Sequence, residues 1–243
     1  MKPELRGPDF RISEVLHDAW AYDPKLWTRD RMGVAEDFAP AVTLLFELLL
    51  ERRSAFAVAG GMAMLKYFEG RNTKDLDLLM ASWDLLEGGA LPELEIKERG
   101  DHFVRGRFAE VSLDLLLTSD PLFAKVLRSY VAPQEFKDLP GRPIPCATVE
   151  GLLLLKLYAL PSLYRQGQFL RIGLYENDIA SLLHVYQPEI APLLAELGEH
   201  LSASDLAEVR KLVPELGRRF ERRFERPPEE VSESGPGSAD PVD

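Results

Sequence analysis

A chain of 243 residues with 46% hydrophobic and 28% charged residues can bury the core of one large domain or two small ones. Its net charge of -11 argues against a simple basic nucleic-acid-binding domain, although a local basic patch stays compatible with it. Cys146 is the single cysteine, so internal disulfides are excluded and cysteine-based zinc sites are disfavoured, and His17, His102, His184 and His200 show no metal-ligand spacing. No apolar run reaches bilayer length: the longest, VEGLLLLKLYAL, is interrupted by Lys156. The N-terminus MKPELRGPDFRISEVL has no apolar signal region, so the expectation is a cytoplasmic protein with no membrane partner.

In chain order, residues 10–30 mix aromatics and charges and read as a helix with a loop. EDFAPAVTLLFELLLERR reads as a helix starting near Pro40 and ending in Arg52 and Arg53. AFAVAG is a short apolar strand, GMAMLKYFEG a helix from the glycines to Gly70, and DLDLLM the next strand. WDLLEGGALP reads as a helix and turn, LEIKERG and HFVRGRFAE as a strand pair, and VSLDLLLT as a further buried strand. Phe123 to Val131 reads as helical and PGRPIPCA as a proline-rich crossing. After Thr148, an N-cap, the texture turns helical: TVEGLLLLKLYALPSLYRQG, then YENDIASLLHVYQPEIAPLLAELG, then SASDLAEVRKLVPELGRRFERRFER, broken or kinked near Pro214 and Gly217. The expected organisation is an α/β domain over 1–147, a helical domain over 148–226, and a disordered acidic tail over 227–243, where Glu229, Glu230, Glu233, Asp240 and Asp243 stand without Lys or Arg.

The chemistry sits in AFAVAGGMAMLKYFEGRNTKDLDLLM. Gly60 and Gly61, between a strand and a helix, would let the backbone approach an anion; alone they also suit a plain tight turn. Asp75 and Asp77 are two apart on a strand and so share a face, while Leu76 and Leu78 point into the opposite layer. Neighbouring carboxylates repel, and a hard divalent cation such as Mg²⁺ relieves that. Asp114 in VSLDLLL would converge with them if its strand lay alongside. Taken singly, Asp77 also suits a strand-end turn and Asp114 a hydrogen-bonded position near a sheet edge.

Strand, Gly-Gly, helix, Asp-x-Asp strand and a later Asp on a third strand together resemble the nucleotidyltransferase superfamily, with its polymerase-beta-like fold. The segment VAGGMAMLKYFEGRNTKDLDLLM is most similar to bacterial AbiEii-toxin-like proteins, with Arg71, Thr73, Asp75 and Asp77 matching their Arg-x-Thr/Ser-x-Asp-x-Asp segment. The likeness is specific over 55–80 and looser to about residue 185. It implies an α+β fold with a small mixed sheet flanked by helices and followed by a helical C-terminal region. It also implies that Gly60 and Gly61 hold a triphosphate, that Asp75, Asp77 and Asp114 bind Mg²⁺, and that an NMP moves from an NTP to an acceptor. From the helical half, Lys156 and Asp178 match a family Lys and Asp. The Lys-Asp dyad that often precedes that Asp is missing from GLYEND, where Glu176 is the nearest substitute. Lys156 either snorkels or faces a site, and Asp178 pairs with it or with Arg171. Arg71 and Lys74 read as phosphate or RNA contacts or as a solvated loop. GRRFERRFER reads as a solvated end helix or an RNA-backbone contact.

The expected activity is therefore Mg²⁺-dependent nucleotidyl transfer. The acceptor is left open between RNA such as tRNA, a protein and a small molecule, and the AbiEii resemblance adds a toxin role with a cognate antitoxin as partner. The alternatives are a non-enzymatic nucleotide-binding or interaction module on the same fold and a small-molecule adenylyltransferase.

Overall fold

The computed structural model describes residues 10–21, 38–68, 73–82, 94–109 and 111–219. Arg71, the WDLLEGGALP segment, the acidic tail and all but the first residues of GRRFERRFER lie outside these. The fold is mixed α+β. A seven-stranded sheet has the order β3-β4-β5-β2-β1-β7-β6, with helices packed against it. Its strands are β1 (Phe56–Val58), β2 (Asp75–Met80), β3 (Leu94–Arg99), β4 (Phe103–Phe108), β5 (Val111–Leu117), β6 (Val131–Gln134) and β7 (Ile144–Ala147). The helices are α1 (Ile12–Ala21), α2 (Phe38–Glu51), α3 (Gly60–Met64), α4 (Pro121–Ser129), α5 (Val149–Arg165), α6 (Phe169–Tyr186), α7 (Ile190–Gly198) and α8 (Ala203–Gly217).

The centre of the sheet follows from apolar patterning. On β2 and β5 the residues Leu76, Leu78, Leu113 and Leu115 are buried in one layer, against α2 residues such as Leu45 and Phe46 within a single core. That burial fixes the register, because a one-residue slip would turn each leucine to the other face. β2 and β5 run parallel and β2 and β1 antiparallel, so the sheet is mixed.

Four local readings are revised. The helix after the glycines spans only Gly60–Met64, and turns follow it. The helix near Phe123 ends at Ser129, and Val131 already opens β6. PGRPIPCA is no mere crossing, since Ile144–Ala147 form β7 between β1 and β6. Proline lacks the N–H a ladder needs, which hides this strand from a sequence reading, but Pro145 stands directly opposite Pro133. Finally, α8 runs unbroken through Pro214 to Gly217. Pro214 lies in the last turn, where its missing N–H removes a single helical bond.

α5 carries the apolar run of the second half. Leu152, Leu153, Leu154 and Leu157 are fully buried on different sides of it, so the helix is enclosed. Its start is fixed by Thr148, whose hydroxyl accepts the Gly151 N–H at 3.3 Å. Tyr67 donates to the Ala147 carbonyl at 3.0 Å and Tyr186 to the Tyr67 carbonyl at 2.9 Å, tying α6 and the start of α5 to the strand–turn–helix unit. Thr148→Ala is expected to cost about 1 kcal/mol and to lower the thermal midpoint by about 2–4 °C, read from a circular-dichroism melt, with strand content unchanged.

Candidate functional site

Register places the carboxylates. Asp77 on β2 lies directly opposite Asp114 on β5, and Asp75 opposite Ser112. On the far side of β5, Arg105 of β4 is opposite Asp114, and Glu98 of β3 is opposite Arg105. A row of charged side chains, Asp77, Asp114, Arg105 and Glu98, thus crosses four strands on one face. Arg105 donates through Nη1 to Glu98 Oε2 at 2.7 Å, and its Nε lies 3.5 Å from Asp114 Oδ2.

The turn before α3 is built against Asp77. The Ala59 N–H donates to the Asp77 carbonyl at 2.9 Å, and the Gly61 N–H donates to Asp77 Oδ2 at 3.3 Å. Gly60 has φ +54°, and a Cβ there would sit 1.8 Å from Asp77 Oδ2, so both conformation and space demand glycine. The Asp77 carboxyl is pushed up to about 6 by burial first and by the Asp114 charge second, with Lys156 pulling the other way. Asp75 is raised for the same two reasons, burial and Asp114. A carboxylate group short of positive charge is the arrangement a hard divalent cation fits.

The helical half supplies cations. Lys156 and Asp178, on α5 and α6, are buried together, with Lys156 Nζ donating to Asp178 Oδ2 at 2.7 Å. The Lys156 ammonium also lies 4.5 Å from the centre of the Tyr175 ring, and the Tyr175 hydroxyl is hydrogen-bonded with Arg171. Arg171, Tyr175 and Asp178 form one stripe of α6. A cavity of about 120 Å³ is lined by Gly60, Asp77, Asp114, Lys156, Arg171 and Tyr175, with apolar walls including Phe103 and Leu155. An outer depression of about 500 Å³ is lined by Asp75, Asp114, Arg105, Arg171, Lys97 and Ser112. Asp114, Arg105 and Arg171 line both.

Of the residues singled out in the sequence, Gly60, Asp77, Asp114 and Lys156 meet in the inner cavity, and Asp75 joins Asp114 outside. Gly61 is buried and serves Asp77. Asp178 stands behind Lys156, and the pairing left open between Lys156 and Arg171 falls to Lys156. Thr73 turns its hydroxyl to the Asp75 carbonyl, and Lys74 is exposed. Glu176 is engaged by Tyr164 and by Arg219, at 2.7 Å from the latter, away from the Lys156 pair. Arg105 and Tyr175 escaped the sequence reading. The 171–175–178 helical spacing could have found Tyr175, whereas nothing local fixes Arg105 opposite Asp114.

Among the described residues, Glu196, Glu199 and His200 are three candidate ligands whose atoms lie within 4.8 Å of one another. Lys125 Nζ is 2.9 Å from Glu196 and His200 Nε2 3.3 Å from it, so the Glu196 carboxylate is already engaged. The aspartates of β2 and β5 are not gathered that tightly. Among the described residues no helix is long and apolar enough to cross a membrane.

The sequence matches no family profile and no curated protein. Among solved structures, the chain is similar to an antigenic nucleotidyltransferase-like protein from Paracoccidioides brasiliensis, at 18% identity and a TM-score of 0.44, over 72% of this chain and 92% of that one. It is also similar to ANT(2")-Ia in complex with adenylyl-2"-tobramycin, at 13% identity and a TM-score of 0.41, over 75% of this chain and 98% of that one. The solution structure of the antibiotic-resistance factor ANT(2")-Ia gives 14% identity and a TM-score of 0.41, over 76% and 95%.

Two outcomes follow from this geometry. The folded Asp77 carboxyl keeps its proton to about pH 6, whereas an ordinary aspartate loses it near 3.8. Between those values the folded state binds more protons, so stability falls as pH rises through the window. In EDTA, Asp77→Asn is expected to melt above the wild type at pH 8, with the gain shrinking towards pH 4; a gain independent of pH would contradict this origin. The second outcome concerns Lys156. Lys156→Ala takes the ammonium from a buried carboxylate and is expected to lose about 3–5 kcal/mol in urea unfolding, with the Lys156→Met/Asp178→Leu double variant much closer to wild type.

Proposed function

We propose that the protein is a Mg²⁺-dependent nucleotidyltransferase, moving an NMP from an NTP to an acceptor hydroxyl. The observation that carries this reading is the Asp77–Asp114 register on parallel neighbours, with Asp75 on the same face and Lys156 and Arg171 around the adjoining cavity. Asp75, Asp77 and Asp114 offer the oxygen-only donor set that Mg²⁺ prefers. Bound there, the ion supplies charge neutralisation at the reacting phosphate and acidifies the acceptor hydroxyl.

The chain's own residues account for the rest. Gly60 lets the Asp77 carboxylate close on the turn, where a side chain at position 60 would collide with it, and so keeps that carboxylate at the wall of the cavity. Lys156, held by Asp178 and Tyr175, presents a fixed positive charge to the β- and γ-phosphates, and Arg171 stands at the mouth. The acceptor oxygen bonds to the α-phosphorus, the bond from that phosphorus to the β-bridging oxygen breaks, and pyrophosphate leaves with the electron pair. Asp114 is placed to take the hydroxyl proton. Positioning and electrostatics supply most of the rate, as in other phosphoryl transfers. An inner cavity of about 120 Å³ is too small for a whole NTP, so sugar and base extend over the outer depression. The acceptor stays open between RNA such as tRNA, a protein and a small molecule, and a toxin paired with an antitoxin is the biological setting the sequence resemblance suggests.

The test is purified protein with each α-³²P-labelled NTP, Mg²⁺ and total bacterial RNA, beside Asp77→Ala. Label on RNA or on the protein itself, lost in a variant whose circular dichroism is unchanged, is the expected result. Near-normal labelling by Asp77→Ala would remove Asp77 from the site. No transfer to RNA, protein or a panel of small hydroxyl compounds would leave a nucleotide-binding module.

A further inference from the structure

We infer that Arg105 is a resident counter-cation of the carboxylate site, shared between Asp114 and Glu98, and that a divalent cation must displace it from Asp114. This rests on the metal-site reading above and adds a regulator to it. Three contacts hold the guanidinium in place. Its Nε is 3.5 Å from Asp114 Oδ2, its Nη1 is 2.7 Å from Glu98 Oε2, and its carbon lies 5.1 Å from the centre of the Phe103 ring. Backbone register imposes this, with Asp114, Arg105 and Glu98 directly opposite one another on β5, β4 and β3.

The position is one where charge matters. Asp114 faces Asp77 on one side and Arg105 on the other, so the arginine offsets part of the repulsion that a metal would otherwise relieve. An incoming cation therefore competes with a tethered one. Arg105 also lines both the inner cavity and the outer depression, so its displacement changes the boundary between them. Glu98 is the second anchor. It draws the guanidinium away from Asp114 and stays available when Asp114 turns to a metal. Loss of Arg105 should tighten metal binding, and loss of Glu98 should weaken it by leaving Arg105 wholly to Asp114. A purely structural role for the ion pairs would move both variants in the same direction.

The experiment titrates full-length protein with Mn²⁺ at about 0.15 M salt, where exposed charges further apart than about 8 Å are screened. Free Mn²⁺ is followed by electron paramagnetic resonance. Wild type, Arg105→Gln, Glu98→Gln and Asp77→Asn are compared, with Glu95→Gln as control because Glu95 pairs with Arg107, 3.7 Å away, opposite Ser112 rather than an aspartate. Arg105→Gln is expected to lower Kd by about five- to ten-fold, Glu98→Gln to raise it about two- to five-fold, and Glu95→Gln to leave it unchanged. Arg105 is half-exposed on its strand, and circular dichroism checks that its variant folds. Binding that Asp77→Asn abolishes but Arg105→Gln leaves unchanged would overturn the inference while keeping the metal site. Equal shifts in Glu98→Gln and Glu95→Gln would reduce it to long-range charge. No Mn²⁺ binding by any variant would overturn both.

Discussion

The pairing of β2 with β5 is the constraint on which the site depends. Both strands bury their leucines in the same layer, and the hydrophobic effect thereby fixes a parallel register with no freedom to slip. Asp77 and Asp114 then face each other as a by-product of core packing. Their repulsion is small beside the burial of Leu76, Leu78, Leu113 and Leu115, each of which contributes on the order of 2 kcal/mol. The sheet can therefore hold like charges together that would separate on a looser scaffold.

The helical half answers those charges from the other side. α5 is apolar on nearly all its faces, and Asp178, one helix away, neutralises the buried Lys156. Desolvation makes such a pair a poor source of stability but a rigid one, since neither partner can leave without the other. Tyr175 adds a neutral aromatic wall to the same ammonium and a link to Arg171. The Lys156 ammonium is thus held in place by its own neighbours.

Much of this was legible in the chain. Asp-x-Asp on an apolar strand required one face, and the Gly-Gly turn required a close approach, which proved to be that of Asp77 itself. Asp114 was legible as a carboxylate on a buried strand, but its neighbour across the sheet is a fact of topology. Arg105 was hidden for the same reason, because the register of β4 depends on contacts distant in sequence. The β7 strand was hidden by chemistry, as Pro145 denies the ladder a donor and only its placement opposite Pro133 makes it tolerable. The short α3 escaped because LKYF continues an apolar helical pattern, while the chain turns at Leu65 to carry Tyr67 to the Ala147 carbonyl.

Gly60 and Asp77 also have a consequence for how this sequence can change. A methyl group at position 60 and the present carboxylate would claim the same volume. Position 60 cannot drift alone, because any side chain there requires a different occupant at 77. In sequence space this sets an order of change, and a lineage that lost the glycine is expected to have replaced the aspartate first.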